Sequence, residues 1–274
     1  MSQTLKAAPR VAIVTGASGG IGKATAQALV KAGYRVFGTS RQRTPPMHGG
    51  VEAIACDVTS DTSVDAAVRA VLETAGRIDL LVNNAGIGLI GAAEESSLEQ
   101  AKSLFDVNLF GVIRVTRAVL PAMRRQKAGR IVNISSVMGL IPAPYMALYS
   151  ASKHALEGYS ESLDHELRHA GVRVTLVEPA YTQTSFENHL VRPDRQLDDY
   201  QSARETAESV MREAMEKADA PEVVAQAVVA AATDEVPRSR YAAGAMARQV
   251  SLLRRFVPRS AFDKSLRKQM RLPN

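Results

Sequence analysis

The stretch Thr15-Gly16-Ala17-Ser18-Gly19-Gly20-Ile21-Gly22 leaves an apolar run at 11–15 and passes without interruption into a segment of helical periodicity at 20–31. A glycine-rich turn joining strand to helix has a definite chemical use. Gly16 allows a tight turn, Gly20 lets the main chain approach a pyrophosphate, and Gly22 permits close packing of helix on strand. The helix amino terminus adds N–H groups without intrahelical acceptors and a partial positive charge. Three residues separate Gly16 from Gly20, so the spacing is not G-x-G-x-x-G, and the position between strand and helix carries the reading.

Outward from this turn, apolar runs rich in β-branched residues recur at 11–15, 35–39, 51–55, 80–82, 130–134 and 172–177. Helical periodicity fills the gaps, at 20–31, 62–74, 98–126, 147–169 and 221–232. Such alternation builds a parallel sheet covered by helices on both faces, here of six strands in a doubly wound α/β fold with right-handed crossovers. Between 180 and 220 the pattern dissolves into mixed polar sequence, as a binding loop or lid does. After Pro237 two short basic amphipathic helices are expected, near 245–256 and 260–270.

Bulk properties set the limits. With 274 residues and 46% hydrophobic composition the chain can bury a full core, and one domain spanning 1–274 is the expectation. Lys and Arg number 34 against 28 Asp and Glu, but residues 238–274 hold ten of the bases and one acid, Asp263, leaving 24 bases and 27 acids in the body. A mildly acidic body thus carries a strongly basic tail. The solitary Cys56 has no partner for an internal disulfide, the amino terminus is too short and polar for a secretion signal, and no apolar run approaches the roughly 20 residues of a bilayer span. A soluble, cytoplasmic protein is expected.

A second local signal lies at 148–154, L-Y-S-A-S-K-H. Tyr149 and Lys153 are i and i+4, hence on one helix face with only small residues between them. A phenol titrating near 10 is poorly matched to acid–base work at neutral pH, and a cation one turn away favours the phenolate. Lys153 is therefore expected to lower the pKa of Tyr149. Tyr145 is the rival phenol, but it lies two turns from Lys153 and is assigned to lining a pocket.

T-G-x-x-x-G-x-G at the first turn, N-N-A-G at 83–86 and Y-x-x-x-K at 149–153 together resemble the single-domain short-chain dehydrogenases/reductases, over about 11–184. The resemblance implies a Rossmann-type sheet and hydride exchange between a nicotinamide and a carbonyl or carbinol carbon. It implies a catalytic set of Asn108, Ser136, Tyr149 and Lys153: Tyr149 exchanges the proton, Ser136 holds the substrate oxygen, Lys153 bonds the nicotinamide ribose, and Asn108 fixes a water relaying protons from Lys153. Ser135 is rejected because successive strand residues point to opposite faces. It also implies cofactor contacts at Gly16, Ser18, Gly20, Ile21 and Gly22, at Asp57 and Val58 beside the adenine, and at Asn84, Ala85 and Gly86. Tyr149, Lys153, Pro179, Thr182 and Thr184 complete that set.

The choice between NAD and NADP is made after the second strand, where NAD-selective folds place an acid against the ribose 2′-hydroxyl. Here the chain reads F-G-T-S-R-Q-R, with Ser40 at the acidic position followed by Arg41 and Arg43. A guanidinium grips an extra phosphate that a carboxylate would repel, so NADP(H) is the expected cofactor. After the sixth strand the family's usual P-G is replaced by Pro179-Ala180, which puts the local chain path in question.

Met138, Leu140, Ile141, Pro142, Tyr145 and Met146 flank the candidate groups, with Phe186 and Leu190 in the loop beyond, so the expected substrate is a bulky apolar ketone, aldehyde or alcohol. The G-T-S-R turn and the Y-A-A-G stretch resemble the hydroxysteroid and retinol dehydrogenase-like branch. A regulatory dinucleotide-binding or membrane-associating module is the alternative, and the basic tail carries it. For Val250, Leu252, Leu253, Phe256, Val257, Phe262, Leu266 and Met270, docking on the subunit is expected ahead of lipid contact, with nucleic acid last. His48, His154, His165, His169 and His189 form no metal pattern, and no metal is expected. By the same resemblance, the helices beginning near Leu98 and Ala147 imply a homodimer or homotetramer.

Overall fold

A computed structural model describes residues 8–41, 49–184 and 190–272. Seven parallel strands run in the order β3-β2-β1-β4-β5-β6-β7: β1 (Val11–Val14), β2 (Arg35–Ser40), β3 (Val51–Ala55), β4 (Leu80–Asn83), β5 (Gly129–Ile134), β6 (Val172–Pro179) and β7 (Arg240–Ala243). The order reverses between β1 and β4, opening the crevice in which open α/β sheets bind ligands at their carboxyl edge. Helices α1 (Gly20–Lys31) and α7 (Pro221–Thr233) cover one face; α2 (Asp61–Ala75), α4 (Gly111–Gln126) and α5 (Ala147–Leu167) cover the other.

The alternation of side chains along each strand produces these two cores. Val11 and Ile13 of β1, Leu81 of β4 and Ile131 of β5 pack into the α2/α4/α5 layer, while Ala12, Val14, Leu80, Val82 and Val132 pack against α1 and α7. Each buried Val, Leu or Ile among them contributes roughly 1.5–3 kcal/mol. Local chemistry fixes the helix ends. In α2 the Ser60 hydroxyl accepts from Ser63 N–H at the start, and Gly76 closes the end in the left-handed conformation, φ 71°. By contrast, α1 begins after Gly19 with no side-chain cap, leaving its first amides directed into the crevice.

Four elements differ from expectation. The seventh strand, β7, pairs with β6 at Leu176 to Arg240 through Pro179 to Ala243; at four residues after a polar turn it carries too little apolar pattern to read as a strand. The helix expected over 98–126 is broken into α3 (Leu98–Phe105), a wide π turn at Asp106–Phe110, and α4. The expected loop at 180–220 contains α6 (Gln201–Met215), a charged helix that buries only Arg204 and Ala207.

The tail forms α8 (Ala245–Phe256) and α9 (Arg259–Gln269), and the residues expected to dock divide: Val250, Val257, Phe262, Leu266 and Met270 are half-buried, whereas Leu252, Leu253 and Phe256 are exposed. Leu252 and Phe256 are 59% and 70% exposed, and α9 buries none of its residues. The arc of α8 turned to the subunit carries small groups such as Ala247 and Ser251 with Val250 beside them, while Met246, Leu252, Leu253 and Phe256 face out. Among the described residues no helix is long and apolar enough to cross a membrane, and no three His, Cys, Asp or Glu gather as a metal site.

Candidate active site

The first turn is braced from the side by the N-N-A-G segment. The main-chain N–H groups of Asn84 and Ala85 both donate to Thr15 Oγ1, at 2.9 and 3.0 Å, while Asn84 Nδ2 donates to the carbonyls of Thr15 and Gly16 at 2.9 and 3.1 Å. The Asn84 amide is thus committed to the turn, and Ala85 and Gly86 continue along the crevice. Gly16 and Gly20 have φ of 64° and 51°, backbone that side chains disfavour. At Gly22 a Cβ would run into the Gly16 carbonyl and Asn84 Nδ2, so helix, turn and β4 meet with no room for a methyl. Ser18 is exposed at the lip of the turn and Ile21 is half-buried behind it. The uncapped amides of α1, this close-packed turn and a cleft open at the sheet edge fit a diphosphate.

At the carboxyl end of β2, Ser40 is half-buried and Arg41 exposed; Arg43, His48, Phe186 and His189 lie outside the described residues. Asp57 accepts from Thr59 N–H and Oγ1 at 2.9 and 2.8 Å, bonds that hold its carboxyl below the ordinary range, aided by the charges of Arg41 and Arg114. Val58 follows it, buried, against Gly111.

Across the crevice, Ser136 ends the chain's run out of β5 and starts a short turn, its Oγ accepting from Met138 N–H at 3.1 Å. The Ser136 hydroxyl is hydrogen-bonded to the Tyr149 phenol, and Lys153 Nζ lies 5.7 Å from the centre of the Tyr149 ring while donating to the Ile134 carbonyl at 2.9 Å. All three are buried. Ser135 turns instead to Glu157, the opposite orientation that alternation along a strand requires.

The expected lowering of the phenol is not what this geometry gives. Burial pushes Tyr149 up to about 12, opposed in part by the Ser136 hydroxyl, and burial pulls Lys153 down to about 8, opposed by the charge of Glu157. The reason is physical. Withdrawing two groups from water disfavours the charged form of each, and the ammonium is aimed at the Ile134 carbonyl, not the phenol oxygen.

Asn108 sits at the middle of the π turn and explains it. Its Oδ1 accepts from Ile87 N–H and its Nδ2 donates to Ile87 O, both at 2.9 Å, with a further bond to Ser152 Oγ at 3.2 Å. Ser152 in turn donates to the Tyr149 carbonyl at 2.8 Å, so Asn108 links the loop after β4 to α5. Widened turns of this kind recur at functional sites.

The chain leaving β6 crosses back over the first turn. Ala180 replaces glycine without taking a left-handed conformation, and Thr184 reaches within 3.1 Å of where a Cβ on Gly20 would stand. Thr182 Oγ1 donates to the Ala180 carbonyl at 3.3 Å. Pro179 closes β6 beside them. Tyr145, the rival phenol, is held at φ 61° with its carbonyl accepting from Gly91 N–H at 2.8 Å. Such strain on a bulky residue is a mark of a functional region.

Tyr149 and Met146 join Leu89, Ile90 and Leu104 in an apolar cluster, completed by Ile87, Met138, Leu190, Val191 and Met211. Met211 comes from α6, which sequence reading did not anticipate. Its helix is fastened by Arg204, buried, whose Nη1 pairs with the fully buried Glu95; Glu95 also accepts from Leu197 N–H at 2.8 Å and Ala92 N–H at 3.1 Å. No local signal marks Glu95 or Arg204, which stand 109 residues apart. Also missed were the buried chain Asn83–Asn133–Ser160 and the Arg240 guanidinium, which bridges Glu157 and Glu178 at 2.6 Å each.

A fold with its switch point at β1/β4, a glycine turn at that point and a Ser–Tyr–Lys set across the crevice define a class of nicotinamide-dependent oxidoreductase. The family model described as short chain dehydrogenase matches residues 10–195, and the chain belongs to that family. Relatives include 3-ketodihydrosphingosine reductase of Bacteroides thetaiotaomicron, 43% identical over 66% of this chain and 67% of that one, and the uncharacterized oxidoreductase YusZ of Bacillus subtilis, 35% identical over 95% and 98%. Human retinol dehydrogenase 8 is 41% identical over 68% of this chain and 63% of its own. Among solved structures, a short-chain dehydrogenase of Streptomyces avermitilis superposes with a TM-score of 0.78 at 33% identity, covering 96% and 94%. One from Burkholderia phymatum in complex with NAD has a TM-score of 0.78 at 29% identity over 89% and 92%, and one from Burkholderia cenocepacia in complex with NADP has 0.74 at 28% over 94% and 97%.

Proposed function

We propose that the chain is an NADP(H)-dependent oxidoreductase interconverting a bulky apolar ketone or aldehyde and its alcohol, formed as one catalytic domain over 1–274. The observation that carries this reading is the convergence of Ser136, Tyr149 and Lys153 opposite the uncapped start of α1. When bound, the nicotinamide supplies hydride at its C4. The rest falls to the protein. Tyr149, protonated at neutral pH with its pKa near 12, is the proton donor to the nascent alkoxide, and Ser136 orients that oxygen by the hydroxyl already bonded to the phenol. Lys153, cationic below about 8, stabilises the phenolate left behind and meets the ribose. Asn108 positions the loop after β4, and its Oδ1 keeps a second lone pair for the relaying water.

Solved relatives bind either nicotinamide cofactor, so the preference rests on this chain's Ser40 and Arg41, which place no acid and one guanidinium where the 2′-phosphate is met. The apolar cluster around Tyr149 supports the substrate class, as do the names of the sphingosine- and retinol-related relatives. A homodimer or homotetramer through the α3–α4 and α5 region is part of the proposal, as is a cytoplasmic location. The test is a panel of long-chain and polycyclic ketones and aldehydes with NADPH, read by loss of reduced-nicotinamide absorbance. Turnover is expected with wild type and at least a hundredfold less with Tyr149→Phe; equal rates in both would overturn the role of Tyr149.

A further inference from the structure

Helix α8 is amphipathic the wrong way round for a helix lying on a globular body. At about 100° per residue, Met246, Leu252, Leu253 and Phe256 fall on one arc of roughly 120°, and that arc faces out. Their exposures are 40%, 59%, 40% and 70%, which makes them four of the seven large exposed hydrophobic residues of the described chain. The opposite arc holds Ala247, Ser251 and Arg254, and Arg254 Nε donates to the Leu140 carbonyl at 3.1 Å. Leu140 directly follows the turn begun by Ser136, so α8 lies beside the candidate active site, with its apolar arc on the other side of the helix from that contact.

The charge around the arc is of one sign. Arg248 and Arg255 flank it, two turns apart, and α9 adds Arg259, Lys264, Arg267 and Lys268 against the single Asp263, while Arg271 beyond it is paired with Glu213. The guanidinium of Arg255 stacks over Phe256, 5.3 Å from the ring centre, so cation and aromatic are presented together. A second copy meeting this surface about a two-fold axis would set the same cations against each other. An anionic lipid surface matches both features at once, taking up the apolar side chains at the acyl boundary and the guanidinium groups among phosphates.

We propose that the α8 face, with the cations of α9, is the surface by which the protein lies on an anionic bilayer. The inference does not depend on turnover, since it is read by binding alone. Full-length protein is floated with vesicles of phosphatidylcholine and with vesicles enriched in phosphatidylglycerol. Binding is expected to the anionic vesicles only, and to weaken as salt is raised. Replacing Leu252 and Phe256 by Ser should lower partitioning at least about tenfold. The pair Arg248→Gln and Arg255→Gln, which leaves the apolar arc intact, should lower it roughly tenfold and make the salt dependence shallower. These positions are exposed, so folding is expected to be unchanged, and circular dichroism with sedimentation checks it. Failure to bind anionic vesicles, or binding that both double variants leave unchanged, overturns the proposal. So does a lipid-free oligomer that falls apart in the Leu252/Phe256 variant, which would assign the face to a second copy.

Discussion

The crevice has two walls built on different principles. The dinucleotide wall, from β1 to β4, is held by uncharged hydrogen bonds to the main chain and by contacts that only glycine allows: the Asn84 side-chain amide donating to the Thr15 and Gly16 carbonyls, Gly22 against Gly16. The facing wall, contributed by residues 190–215 and the tail and proposed to meet the substrate, is held by charged side chains: Glu95 with Arg204, Arg192 with Glu208 at 2.7 Å, Arg271 with Glu213 at 2.7 Å. The first kind of construction is short in sequence and tolerates no change of shape. The second joins distant residues and can be altered one pair at a time, which suits a wall that selects among substrates.

Breaking the buried pair should separate the two walls most strongly. Arg204→Ala leaves Glu95 ionised and fully buried without its counter-charge, which costs about 3–5 kcal/mol. The expected result is a fall in urea midpoint with NADPH affinity retained in the folded fraction; a parallel loss of NADPH affinity would show that the walls are one unit.

Lys153 lies where the walls meet, and its burial is readable as pH-dependent stability. Its folded value, about 8, is below the ordinary 10.5, so between these pH values the unfolded chain binds the extra proton and wild-type stability rises with pH. Below 8 both states are protonated, and the cost of burying the cation is borne in full. Lys153→Met removes this dependence, so the stability advantage of the variant should shrink by about 3 kcal/mol from pH 8 to 10.5. Parallel curves for the two proteins would refute the burial of a titrating amine.

On the dinucleotide wall, Gly22→Ala forces a methyl into the Gly16 carbonyl and displaces the turn. NADPH affinity, by fluorescence titration, is expected to fall at least about a hundredfold; an unchanged Kd would mean that the turn does not hold the diphosphate. The smallest effect is expected at the edge of the same wall. Ser40→Asp with Arg41→Gln exchanges a cation for an anion beside the 2′-position and should move the NADPH/NADH preference roughly tenfold toward NADH. A preference that stays put would withdraw the cofactor assignment.

How much was legible follows the same division. The glycine turn, the strands β1 to β6 and the i, i+4 relation of Tyr149 and Lys153 are local patterns, and the fold assembles them as their periods require. The π turn at Asn108 was not legible because it depends on Ile87 and Ser152, brought from other segments. Helix α6 hid in polar sequence because its fastening is Arg204 to Glu95, a pair 109 residues apart. β7, Arg240-Tyr241-Ala242-Ala243, has no β-branched residue and is recognised only by pairing with β6. The pKa of Tyr149 was misjudged in direction because spacing along a helix reports which groups are neighbours but not how thoroughly both are withdrawn from water. The basic tail was legible in charge, while the outward turn of Leu252 and Phe256 is set by how α8 meets the Leu140 turn.

The most direct test follows hydride and proton together. NADPH deuterated at C4 is mixed with a ketone that the protein reduces, and the alcohol is analysed by mass spectrometry for wild type and Tyr149→Phe. One deuterium on the carbinol carbon, delivered at least about a hundredfold more slowly by the variant, is the expected result. Unlabelled alcohol, or label transferred by Tyr149→Phe at the wild-type rate, would contradict the assignment of this crevice.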